Sequence, residues 1–123
     1  MFEFPKKHRL CNETVIKEMF SNGKSFTTSA IRLVWKEDIN KEATVKSIIV
    51  VPKKRIRLAV KRNFIRRRMK EAYRLHKIEL ENTLKVKKLH LSIAIIYQKD
   101  KILPYKTVEE EIKLILDRLD KEI

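Results

Sequence analysis

The sequence predicts an α+β domain, one small sheet with helices packed against it, and three patterns predict it. Ile31, Leu33 and Trp35 alternate with Arg32, Val34 and Lys36. Elsewhere apolar residues recur at helical spacing. No repeat, low-complexity tract or interdomain linker divides the 123 residues. A chain of this length has room for one core, so a single domain spanning residues 1–123 is expected.

Taken in order, Asn12 can cap a first helix carrying Val15, Ile16, Met19 and Phe20 on one stripe. That stripe stops at SNGKS, where Gly23 is the chain's only glycine and a natural helix terminator. SAIRLVWK has the period of a half-buried strand. TVKSIIVVP is rich in β-branched residues and bounded by Pro52, so it reads as a second strand, expected to be the hairpin partner of the first. A long basic helix should run from about Leu58 to Glu81. LHLSIAIIYQ, Leu89 to Gln98, is a further strand, with Leu89, Leu91, Ile93, Ile95 and Tyr97 on one face and His90, Ser92 and Ala94 on the other. Thr107 can cap a last helix, with Glu110 three residues on completing a capping box and Val108, Ile112, Ile115 and Leu119 forming its buried stripe. The order is therefore helix, two or three strands, helix, strand, helix.

The charge is large and localised. Thirty Lys and Arg face sixteen Asp and Glu, a formal +14. Lys53 to Lys77 holds twelve basic residues and one acid, Glu71, so this stretch alone carries +11. A compact chain with that field repels itself unless a polyanion relieves it. A membrane is the weaker partner, because no apolar run approaches the roughly 20 residues of a spanning helix and no signal peptide heads the chain. A cytoplasmic protein is expected. Cys11, the single cysteine, can form neither an internal disulfide nor a zinc cluster, and His8, His76 and His90 lack metal-ligand spacing. No metal site on the protein is expected. The acids gather at Glu109 to Glu111 or stand alone, so no acid–base set for an autonomous nuclease emerges. DNA is not the expected partner either, since neither a helix-turn-helix glycine turn nor a dimer seam is evident.

On a helical wheel starting at Val60, Arg62, Arg66, Lys70, Arg74, Arg67, Asn63 and Lys77 share one arc. The opposite arc carries Val60, Phe64, Ile65, Met69, Ala72, Leu75 and Ile78, with Lys61, Arg68 and Glu71 intruding. A merely solvated face usually mixes signs at i to i+4, because opposite charges there stabilise by roughly 0.2 to 0.5 kcal/mol and like charges cost as much. Arg62, Arg66, Lys70 and Arg74 are alike at every such step, the pattern of a polyanion site. Arg outnumbers Lys here, and its planar fork holds phosphate bidentately and stacks on bases, which favours nucleic acid over a generic anionic surface. PKKRIR extends the patch toward the helix N-terminus, whose free amides attract anions.

AVKRNFIRRRMKEAYR resembles the signature of the protein subunit of bacterial ribonuclease P, written A-V-x-R-N-R-I-K-R-x-x-R-E, and VVPKK resembles the V-S-K-K that precedes it. The opening KKHRLCNETVIKEMFSNGKSF is similar to that family's first helix and the start of its first strand. The resemblance covers nearly the whole chain in the same order. It implies an α+β sandwich of order α-β-β-β-α-β-α with a left-handed βαβ crossover, where the general rule favours right-handed ones. It implies a protein that assists a catalytic RNA in removing the 5′ leader of precursor tRNA, with Mg²⁺ bound by the RNA and the protein inactive alone. A small basic ribosomal-type RNA-binding protein is the alternative.

By position, the resemblance assigns Lys53, Lys54, Arg62, Asn63, Arg66, Arg67, Lys70 and Arg74 to the RNA subunit. It assigns Phe20, Ile16, Arg32 and Val34 to a cleft for the single-stranded leader, with Phe20 as a stacking platform and Arg32 facing phosphate. On spacing alone Phe20 reads equally as core, and Trp35, in phase with Ile31 and Leu33, reads as core. Asn63 has no packing reason on a cationic face, which leaves RNA contact or a helix–loop hydrogen bond. Departures are Phe64 for the second Arg of R-N-R, Ile16 and Val34 for aromatics, and Pro52 for Ser. RIRL is also one residue longer than the usual connection. These imply a cleft with fewer base contacts and more phosphate contacts, through Arg32, Arg55 and Arg57.

Overall fold

The computed structural model describes residues 23–37 and 45–123. The expected first helix, with Asn12, Ile16 and Phe20, lies outside them, as do Cys11 and His8. The described elements are β1 (Lys24–Thr27), β2 (Ile31–Glu37), β3 (Val45–Val50), α1 (Ala59–His76), α2 (Ile78–Lys87), β4 (Leu91–Tyr97) and α3 (Tyr105–Glu122).

The sheet runs in the order β1-β2-β4-β3. β1 and β2 are antiparallel, β2 and β4 are antiparallel, and β3 and β4 are parallel. The expected hairpin between β2 and β3 does not form. β4 lies between them, and the reason is in its composition: all seven of its residues are buried, on both faces, so it takes the interior of the sheet with a partner on each edge. β3 then reaches β4 through a crossover that contains α1 and α2, as a parallel pair requires.

The alternation in β2 holds. Ile31 and Leu33 join Ile93, Ile95, Tyr97, Val45 and Ile49 in the main core, with Trp35 packed at its margin. There the Trp35 ring lies 6.4 Å from that of Phe26, with the Lys24 ammonium 5.4 Å away. Val34 belongs to a second, smaller cluster with Ala94 and Ile96, flanked by Ile48 and Val50. Helices cover the first face through Ile65, Met69, Ala72 and Tyr73 of α1, Leu80 and Leu84 of α2, and Val108, Ile112, Ile115, Leu116 and Leu119 of α3.

Three boundaries differ from expectation. The basic helix turns at Lys77 rather than running on to Glu81, although Lys77 keeps helical angles and no glycine or proline marks the place. Burial of Leu80 and Leu84 redirects the chain there. α2 ends at Lys88 in the left-handed region (φ 56°), closed by the Leu89 N–H donating to the Leu84 carbonyl at 2.9 Å. α3 starts at Tyr105, directly after Pro104, with no side-chain cap, so Thr107 sits inside the first turn. No helix among the described residues is long and apolar enough to cross a membrane.

Candidate nucleic-acid interface

The inward seam of α1 is Ile65, Met69, Ala72 and Tyr73, an i, i+4, i+7, i+8 stripe. Tyr73 takes a core position, burial pushing its hydroxyl pKa up, while Val60, Phe64, Leu75 and Ile78 are exposed, Val60 by 71%. The helix is therefore rolled relative to the expected wheel. Its outward surface carries an apolar strip beside the cations instead of cations alone.

This roll divides the expected RNA contacts into kinds. Arg62 Nη1 donates to the carbonyls of Ile56 (3.1 Å) and Arg57 (2.6 Å), bracing the preceding loop against the first turn. Arg66 Nη1 donates to Asn63 Oδ1 at 2.7 Å, so Asn63 holds Arg66 along the helix rather than reaching a loop. Arg67 is exposed on the crest, and Lys70 is half-buried on the same side. Arg74 grips Glu71 with Nε (3.1 Å) and Nη2 (2.5 Å), and this hydrogen-bonded pair holds the Glu71 carboxyl below its ordinary range.

Ahead of the helix, the Arg55 and Ile56 N–H groups both donate to the Pro52 carbonyl, at 3.0 and 3.1 Å. The resulting turn presents Lys53 and Lys54 to solvent while buried Ile56 anchors it. Lys54 and Arg55 then meet Arg32, Val50, Pro52 and Ile96 around a cleft of about 240 Å³. Arg32 and Lys54, 22 positions apart in sequence, thus share one opening. The register explains its floor, since Arg32 aligns with Ile96 and Ile96 with Val50 across β2, β4 and β3. Val34, two residues along, is 1% exposed and forms part of the sheet's packed face rather than an open wall.

Of the arginines expected to add phosphate contacts to the cleft, Arg55 lines it beside Arg32, whereas Arg57 does not. Arg55 Nη1 lies 3.3 Å from Asp100 Oδ1, and Arg55 also borders a second opening of about 420 Å³ with Arg57, Leu58, Lys61, Lys101 and Ile102. Nothing in the sequence announces Lys101, which only the tertiary fold brings beside Lys61. The C-terminal acids serve structure. Glu109 lies 3.5 Å from His76 Nε2, and Glu111 Oε1 accepts from Thr28 Oγ1 (2.8 Å), Ser29 Oγ (2.9 Å) and the Ala30 N–H (2.7 Å). Among the described residues no three His, Cys, Asp or Glu side chains are placed to hold a metal ion.

Fold and surface together define a one-sheet α+β protein with a cationic helix crest and a basic cleft at the sheet's end, the class of small polyanion-binding proteins. Comparison with known proteins narrows this. The Ribonuclease P family model matches residues 4–120. The ribonuclease P protein component of Porphyromonas gingivalis is 34% identical over 119 residues, covering 96% of this chain and 87% of that protein. The component from Chlorobium phaeobacteroides is 30% identical over 102 residues, covering 75% and 70%. The solved RNase P protein of Staphylococcus aureus superposes with a TM-score of 0.74 at 18% identity, covering 91% of this chain and 94% of that one, and that of Thermotoga maritima with 0.69 at 23%, covering 89% and 96%. These structures share the fold. The chain belongs to the ribonuclease P protein family.

Proposed function

We propose that this chain binds the RNA of ribonuclease P through the crest of α1 and the Lys53–Lys54 turn, and that the cleft of Arg32, Lys54 and Arg55 receives the 5′ leader of precursor tRNA. The observation that carries this reading is the placement of exposed Arg67 beside half-buried Arg66, whose guanidinium Asn63 holds along the helix, neither with an acid to neutralise among the described residues. Ile16 and Phe20 complete the leader site in this reading, as the family pattern implies.

Hydrolysis is assigned to the RNA, with Mg²⁺ bound there. On the protein, Glu111 holds the Ala30 N–H and Glu109 lies beside His76, contacts that join segments of the fold. The protein's part is to neutralise phosphates and orient the substrate, and its place of action is the cytoplasm. Cleavage of a 5′-extended precursor tRNA by ribonuclease P RNA at low Mg²⁺, with and without the protein, tests this. The protein alone should be inert and should restore cleavage when the RNA is present. Unchanged cleavage beside retained binding to other structured RNA would return the protein to the ribosomal-type alternative.

A further inference from the structure

Phe64 stands where the family signature carries its second arginine, and the structure places it neither in the core nor in a simple charged row. Phe64 is 37% exposed. The Arg68 guanidinium lies 4.3 Å from the ring centroid, and Arg68 Nη1 in turn donates to the Leu103 carbonyl at 3.0 Å. A ring held against a cation that is itself tied to a distant loop is biased toward its bound rotamer before any ligand arrives. Three residues earlier, Lys61 borders the 420 Å³ opening whose other walls include Arg55, Arg57, Leu58, Asp100, Lys101 and Ile102, with Asp100 already met by Arg55. Leu58 and Ile102 are themselves exposed, as is Val60 beside them in the chain.

A pre-oriented aromatic, apolar walls and surrounding cations are what a single-stranded nucleotide needs: a surface for its base and charge for its phosphate. A duplex would engage the cations and leave the apolar surface without a partner. We propose that Phe64 and the adjoining opening bind one unpaired RNA nucleotide, its base stacked on the ring and its phosphate met by Arg57, Lys61 and Lys101. This site rests on the RNA-binding reading above. It is separate from the Arg32 cleft and shares only Arg55 with it.

The test uses the full chain with ribonuclease P RNA, and the reconstituted complex with precursor tRNA carrying or lacking a leader. Phe64→Leu should weaken binding roughly 5- to 150-fold, the loss of one base–aromatic stack, while Phe64→Trp should retain wild-type affinity. Lys61→Ala with Lys101→Ala should flatten the salt dependence. A loss on the RNA subunit alone assigns the nucleotide to that RNA, and a loss confined to leader-bearing substrate assigns it to the leader. Wild-type binding of both RNAs by Phe64→Leu, or equal losses in the Leu and Trp variants, overturns the proposal. If wild-type protein does not bind the RNA subunit and Arg66→Ala changes nothing, the reading of α1 falls with it.

Discussion

Arg62 and Arg67 look equivalent in RNFIRRRMK, yet their surroundings give them opposite work. Arg62 satisfies two loop carbonyls, so Arg62→Ala should cost about 1 to 3 kcal/mol of folding stability, measurable by urea unfolding. Arg67 is exposed and braces nothing among the described residues. Arg67→Ala should leave the urea midpoint unchanged while the slope of log affinity against log salt becomes shallower by about 0.7 to 0.9. An unchanged slope would remove Arg67 from the interface. Arg74 is a third case, since its charge is already opposed by Glu71.

Glu111 shows how a side chain joins segments. Burial pushes its carboxyl pKa up, but hydrogen bonds from Thr28, the Ala30 N–H and Ser29, aided by Lys99, outweigh this and hold it below the ordinary glutamate value of 4.5. A group with a lowered folded pKa stabilises above its unfolded pKa, and the contribution is lost as pH falls through the folded value. Glu111→Gln should therefore destabilise the protein at pH 7, by about 1 to 2 kcal/mol for weakened charge-assisted bonds, and the two proteins should converge in thermal stability as pH falls through the lowered folded value of Glu111. A difference that persists in acid would mean the contact works through shape alone. At the end of α2, Lys88 carries a left-handed backbone that glycine adopts without strain. Lys88→Gly should raise stability by about 0.5 to 1 kcal/mol in urea titrations.

The whole molecule's charge of +14 overstates its grip on RNA. Of the seven cations that the family pattern assigns to the RNA subunit, Arg62 is tied to backbone and Arg74 to Glu71, so the proposed interface counts on the other five, Lys53, Lys54, Arg66, Arg67 and Lys70. About five phosphate contacts give a log–log salt slope near −4, so raising salt from about 50 to 200 mM should lower affinity by a few hundredfold. A slope steeper than about −7 would show that more of the surface engages RNA, including the opening beside Phe64.

Periodicity and charge were enough to determine the α+β class, the inward sides of β2 and α3, the extent of the cationic segment and, through RNFIRRRMKE, the family. Each depends on residues close in sequence. Strand pairing was not legible, because β4 separates β2 from β3 on account of being buried on both faces, which alternation in the other two strands does not reveal. The roll of α1 was not legible either. Two apolar stripes compete on it, and only packing against α3 and the sheet selects Ile65, Met69, Ala72 and Tyr73 over Val60, Phe64 and Leu75. The tertiary structure alone brought Lys54 to Arg32 and Lys101 to Lys61, because the backbone path between such residues is set by how distant apolar faces bury one another.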